Sequence, residues 1–235
     1  MKPRLQAKKI LRTNKEHSSI NRMMKLPPTT LAHRSHHTKP TLELWPDIAI
    51  AFSRVHEVCG ANRRSLALLI AQRIQGPIFW VSPTWNKDTL HAEGIMQFIN
   101  PGRLTFLAPK RAEDILWTVE EVLRSGAVGL VVADLPSIPS LTPIRRLQLA
   151  AETGATKGHI RSLGLLLTPG SGGAPGIESR WHIAAKHKDY KDLWHLSRIR
   201  ARTDPPCSWQ VSHTDGMYSI SKLGIEGQNC EIEFD

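Results

Sequence analysis

The sequence predicts an α/β fold: a mostly parallel sheet flanked by helices, extended by antiparallel strands towards the C-terminus. Three observations predict it. Two apolar runs without polar alternation, residues 128–133 and 163–168, read as central parallel strands covered on both faces. Stretches of helical periodicity alternate with the apolar runs, most clearly over 111–125. From Arg180 onward the helical pattern stops, and short segments joined by short loops read as antiparallel hairpins.

The elements follow in order. Residues 42–58 lead into a first strand, with Arg54-Val-His-Glu-Val58 alternating in β fashion. Gly60 turns the chain. Leu66, Leu69, Ile70 and Ile74 then mark one face of a helix stopped at Gly76-Pro77. Residues 78–82 form a short apolar strand, and 90–98 read as helical. Asn100-Pro-Gly102 is a turn before a strand over 103–108. In the helix over 111–125, Ala112, Leu116, Val119 and Leu123 make one apolar stripe. Glu113 and Asp114 in its first turn and Arg124 in its last complement the macrodipole, and Gly126 ends it. The strand over 128–133 ends at Asp134. Thr142 can cap a helix over 143–152 with Pro143 at its first position. After the strand at 163–168 comes a glycine-rich stretch, 169–176, expected to be a flexible loop. Strands over 180–185, 193–200, 208–213 and 218–221 complete the fold.

The chain has 235 residues, enough for one α/β domain and a tail. Cys59, Cys207 and Cys230 lie far apart with no C-x-x-C pair, which argues against a disulfide framework and a cysteine zinc site. No apolar run approaches the roughly 18 residues of a membrane helix, so no membrane partner is expected and the cytoplasm is the expected compartment. The net charge of +10 is uneven. Residues 1–40 hold ten Lys or Arg and one acid, while the other 195 hold 21 basic and 20 acidic groups. That leader, 1–40, is expected to be disordered, and the domain to span 41–222 with a tail over 223–235. Met23 and Met24 offer later starts, which makes 1–22 an optional leader. Lys8, Lys9, Arg12 and Lys15 could hold nucleic-acid phosphate weakly and without sequence preference. The cluster His33, His36, His37 lacks a fixed scaffold, so no metal site is expected.

The strand–turn–helix at Ser53-Arg-Val-His-Glu-Val-Cys-Gly60-Ala-Asn-Arg-Arg-Ser65 stands where a nucleotide-binding α/β protein keeps its phosphate loop. A working loop needs G-x-x-x-x-G-K-[ST]. Gly60 is present, but the second glycine, the lysine and the Thr are not. Gly60, Arg63, Arg64, Ser65 and Asp134 therefore mark a degenerate nucleotide site. Arg63 and Arg64 read as solvated arginines on a surface turn, with anion binding at the helix N-terminus as the alternative. Trp80 and Trp117 read as packing residues, Trp85 as a surface residue. His56 reads as a strand residue without a nucleophile partner.

Arg54-Val-His-Glu-Val-Cys-Gly60, the run from Arg124 to Asp134, Arg145-Arg-Leu-Gln-Leu-Ala-Ala151, and Leu196 to Pro206 occur in an order that resembles the core of RecA recombinases. Val55-His-Glu-Val-Cys-Gly60, Arg64-Ser-Leu-Ala-Leu68, Ile115-Leu-Trp-Thr-Val-Glu120, the same Arg145–Ala151 run, Ser179-Arg-Trp181 and Arg198-Ile-Arg200 are similar to ImuA-type proteins of the bacterial damage-inducible mutagenesis cassette. The resemblance implies a RecA-like core and no cofactor. It also implies partners: a Y-family polymerase-like protein, an error-prone replicative-type polymerase and RecA itself. It implies a nucleoid role on damage. Arg200 and Arg202 stand where RecA reaches across to a neighbour, so Arg198, Arg200 and Arg202 are the implied partner interface. Where RecA carries a water-positioning acid, this chain has Ser82-Pro-Thr-Trp85. The segments matching the DNA loops of RecA, 137–142 and 168–179, are short, and the second holds no basic residue. An ATPase activity is not expected. A divergent DNA-dependent ATPase and a DNA-binding module acting through 1–40 are the competing functions.

Overall fold

The computed structural model describes residues 40–158, 160–187, 192–214 and 216–223. The leader, with Lys8, Lys9, Arg12, Lys15 and the His33, His36, His37 cluster, lies outside the described residues, as do Cys230 and most of the C-terminal tail.

The chain begins with a hairpin, β1 (Thr41–Trp45) and β2 (Ile48–Ala51), that the sequence reading did not separate from the strand after it. Leu42, Leu44, Ile48 and Ile50 alternate with polar or small exposed neighbours and are all buried. That period of two, broken at Pro46-Asp47, is the hairpin's signal. Then follow β3 (Val55–Cys59), α1 (Arg63–Arg73) and β4 (Ile78–Val81). Only one short turn of helix, α2 (Ala92–Met96), forms within the span expected to be helical over 90–98. A 3₁₀ turn at Pro101–Arg103 leads into β5 (Leu104–Leu107).

Next come α3 (Ala112–Ser125), β6 (Leu130–Asp134), α4 (Leu141–Lys157) and β7 (Leu163–Leu167). Four antiparallel strands close the chain: β8 (Ser179–Ala185), β9 (Asp192–Ala201), β10 (Cys207–Thr214) and β11 (Met217–Lys222). Of these, β8 also runs parallel to β3, so it joins the two halves of the sheet. The nine-stranded order is β11-β10-β9-β8-β3-β7-β6-β4-β5. The fold class is therefore as expected: α/β, a mostly parallel sheet flanked by helices and extended by antiparallel strands, the arrangement of a RecA-like core.

Two apolar layers clamp the sheet. One combines α1, the β1–β2 hairpin and one face of the strands, including Val58, Leu130 and Trp209. The other combines α3 and α4 with the opposite face, including Val55, Val131 and Leu166. Each fully buried Leu or Ile contributes roughly 1.5–3 kcal/mol relative to exposure, so these layers dominate stability.

Three local expectations are corrected. The buried stripe of α3 is Ile115, Val119 and Leu123; Leu116 is half-buried, and Ala112 is exposed. Trp117 therefore points outward at 58% exposure rather than packing inside. The second correction concerns α4, which begins after Ser140 instead of Thr142 and continues past Glu152 to Lys157. Gly154, a residue that disfavours helix, is retained because α3 lies against it: a Cβ there would stand 2.0 Å from the Leu123 carbonyl oxygen. Third, the glycine-rich stretch after β7 is anchored to the core, as described below.

Candidate functional site

In an open α/β sheet, ligands bind outside the carboxyl ends of the parallel strands. Here that edge gathers Gly60 after β3, Asp134 at the end of β6, Thr168 after β7 and Ser82 after β4. The sequence-predicted nucleotide residues do converge there.

Asp134 is 3% exposed, and its carboxylate is engaged. Arg64 Nε donates to Oδ2 at 2.7 Å, and Nη2 stands 2.5 Å from the same oxygen. Arg63 Nη2 lies 3.6 Å from Oδ1. Both arginines come from the first turn of α1, and both are about three-quarters buried, with 25% and 24% side-chain exposure. The expectation of solvated arginines on a surface turn is therefore corrected. A buried carboxylate is costly without a cation, and the first turn of α1 supplies two. Ser65 follows in the same turn, half-buried.

Gly60 is equally committed. Its φ of +92° is the left-handed region, and a Cβ there would come 2.3 Å from the Ile183 carbonyl oxygen. Its N–H donates to the Gly170 carbonyl at 3.0 Å, and its own carbonyl accepts from the Arg63 N–H at 3.3 Å. Asn62 Oδ1 accepts from the Ala185 N–H at 2.8 Å, which ties the start of α1 to the end of β8. A Mg-nucleotide needs backbone N–H groups closing on phosphate, a lysine for the outer phosphates and a free carboxylate near the metal. The residues present do not fit that group. The glycine N–H is bonded to protein, the carboxylate is held by two guanidinium groups, and no lysine stands in the turn.

Beside this cluster Glu57, fully buried on β3, sits in a ring of donors. Thr168 Oγ1 donates to Oε1 at 2.7 Å, and Arg180 Nε to Oε2 at 2.6 Å. The Gly173 N–H donates to Oε1 at 2.8 Å, and the Ala174 N–H reaches both oxygens at 3.1 Å. Arg180 Nη2 also donates to the Ala174 carbonyl at 3.0 Å. The glycine-rich stretch is thus wrapped on an internal carboxylate. The neighbouring thiol of Cys59 is pushed up to about 12, first by burial and then by the Glu57 charge. Sequence reasoning missed this network. Its signal was an acid among the Val, His and Cys of a short strand, which demands a partner when buried.

His56 has the nucleophile partner that the sequence did not reveal: its Nδ1 is 2.7 Å from Ser179 Oγ. The pair is structural. His56 Nε2 is 2.9 Å from the Ala51 carbonyl, Trp181 Nε1 donates to the same serine oxygen at 2.7 Å, and both residues are buried.

The implied interface divides. Arg198 is 8% exposed. Its guanidinium carbon lies 5.7 Å from the Trp181 ring centroid and 5.3 Å from that of Trp209, and its Nε donates to the Pro205 carbonyl at 3.1 Å. Arg198 is a core cation, corrected from an interface residue, because period-two alternation on β9 turns it inward with Leu196. Arg200 and Arg202 are exposed, and Arg202 Nε lies 3.4 Å from Glu178 Oε2. Among the described residues, no group of three or more His, Cys, Asp or Glu could hold a metal ion. No described helix is long and apolar enough to cross a membrane.

Fold and site together define an α/β protein, a mostly parallel sheet flanked by helices, in which two arginines from the first turn of α1 neutralise the acid at the end of β6. No protein-family model matches the chain, and no curated protein matches it.

Proposed function

We propose that this chain is a non-catalytic RecA-like adaptor in damage-induced, error-prone translesion synthesis. Its partners are a Y-family polymerase-like protein and the error-prone replicative-type polymerase of the same cassette, with RecA as a further contact, in the cytoplasm at the nucleoid. The translesion assignment rests on the resemblance to ImuA-type proteins in the segments quoted above. The observation that carries the non-catalytic reading is the Arg64–Asp134 pair. Phosphoryl transfer needs positioned cations on developing charge, and here those cations neutralise the strand-end acid instead. The segment 168–179, which would match a mobile DNA loop, is spent on Glu57. Arg200 and Arg202 are exposed, Arg202 beside Glu178, and offer their guanidinium groups for protein contact, a use to which Arg is suited.

The test is affinity capture of the tagged full chain from damage-treated bacterial cells. Co-purification of a Y-family polymerase-like protein, abolished by the Arg200→Glu/Arg202→Glu double variant, is expected. Recovery of neither polymerase overturns the reading. A divergent ATPase is tested separately, by phosphate release with and without single-stranded DNA. Turnover that disappears in Asp134→Ala would replace the adaptor by an enzyme.

A further inference from the structure

A pocket of about 440 Å³ opens between the carboxyl ends of β4 and β5 and the loop leaving β4. That volume lies within the range of built ligand sites, about 300–1,000 Å³. It sits on the opposite side of β4 from β6 and shares no residue with the Arg64–Asp134 cluster. Trp80, 2% exposed, belongs to its inner lining, and Phe106 on the outer strand β5 lines it while 54% exposed. Leu90, Leu107, Pro83 and Ala108 complete the apolar part.

The polar lining is organised before any ligand arrives. Asn86 Nδ2 donates to Ser82 Oγ at 3.2 Å, the Asp88 N–H donates to Asn86 Oδ1 at 3.1 Å, and the Thr84 N–H donates to the Pro109 carbonyl at 3.1 Å. These bonds tie the loop to itself and to the segment after β5, which reduces the ordering cost of binding. Asp88 is the one charged residue in the lining. Among the described residues its carboxylate has no ion-pair partner. An apolar pocket edged by a single unpaired acid complements an apolar group carried next to a cation. A metabolite site encloses most of its ligand, whereas here a wall residue is itself more than half in water. That openness suits a side chain entering from a surface segment.

We propose that this pocket receives a short peptide segment of a partner protein: an aromatic side chain enters against Trp80 and Phe106, and an adjacent Lys or Arg pairs with Asp88. The inference goes beyond the adaptor reading and stands or falls without it, since it names a different surface and no polymerase.

The test is an amide NMR titration of the full chain with acetyl-Gly-Trp-Lys-Gly-amide. Saturable shifts confined to residues 82–90 and 105–108 are expected. Phe106→Ala, at an exposed position that leaves the fold intact, should weaken binding about tenfold. Asp88→Asn should weaken it about threefold, with loss of the salt dependence, and the Trp-Glu peptide should bind about as weakly. Absence of saturable shifts up to about 10 mM, or shifts centred elsewhere, overturns the site. Tryptamine binding as tightly as the peptide overturns the peptide occupant. Equal affinity of the Trp-Lys and Trp-Glu peptides overturns the role of Asp88.

Discussion

Arg64 and Asp134 are 70 residues apart in the chain, yet two guanidinium nitrogens of Arg64, Nε and Nη2, meet one carboxylate oxygen of Asp134 at 2.7 and 2.5 Å. The pair joins the first turn of α1 to the end of β6 at the carboxyl edge of the parallel strands.

Removing one side of this pair should cost more than its exposure suggests. Breaking a fully buried ion pair costs about 3–5 kcal/mol because a charge is stranded. Arg64 is a quarter exposed, and Arg63 remains near Oδ1, so Arg64→Ala is expected to lose about 2 kcal/mol in urea unfolding. The Arg64→Ala/Asp134→Ala double variant should lose less than the sum, with a coupling of about 1–2 kcal/mol. Strict additivity would show that the pair contributes nothing.

The Glu57 ring predicts an ordered glycine stretch. Glu57→Gln keeps the shape but strands Arg180 and turns one acceptor into a donor, so a loss of about 3 kcal/mol is expected. The amides of Gly173 and Ala174 should then exchange with solvent far faster than in the native chain. Gly172→Ala should act in the same direction by about 1–3 kcal/mol, because φ is +74° and the new Cβ would lie 2.7 Å from Glu57 Oε1. Unchanged exchange rates in both variants would show that the carboxylate does not hold the loop.

Three arginines of one region should behave differently. Arg198→Ala removes packing and cation–π contact against both Trp181 and Trp209, at an expected cost of about 2 kcal/mol. Arg200→Ala and Arg202→Ala, at exposed positions, should stay within about 0.5 kcal/mol of the native chain in thermal and chemical unfolding. A comparable loss at all three would place Arg200 and Arg202 in the structural core rather than on a docking surface.

Acid should weaken the fold through two histidines. Burial holds His182 below the ordinary imidazole value, and His195 likewise, with the His182 and Lys186 charges adding to the effect. The unfolded chain therefore takes up these protons first, near pH 6.5, and stability declines as pH falls from there towards the lowered folded values. Tm is expected to drop between pH 7.5 and 5.5, and the drop to shrink in the His182→Gln/His195→Gln variant. An identical pH slope in that variant would assign the effect to other groups.

Sequence patterns carried the large elements well and the site poorly. Continuous apolar runs identified β6 and β7, because a strand covered on both faces has no room for alternation. The acidic first turn, the basic last turn and the Gly126 stop framed α3 to within a residue. The stripe on α3 was displaced because Leu116 and Ile115 are equally apolar, and only the neighbouring helix and sheet decide which of them turns inward. Trp117 was misplaced for the same reason: hydrophobicity sets what burial would contribute, while the surface left uncovered depends on which elements pack there.

The sequence by itself determined the order of strands and helices from β3 onward, the absence of a lysine from the turn after β3 and the acid at the end of β6, since all three depend on local residue types and spacing. Only the tertiary structure decided that Arg64 meets Asp134, that Glu57 collects a glycine-rich stretch more than 100 residues later, and that Arg198 is interior while Arg200 is not. The physical reason is that a buried charge requires a partner but does not specify where in the chain it comes from. The parallel crossovers that bring strand ends to one edge make that choice.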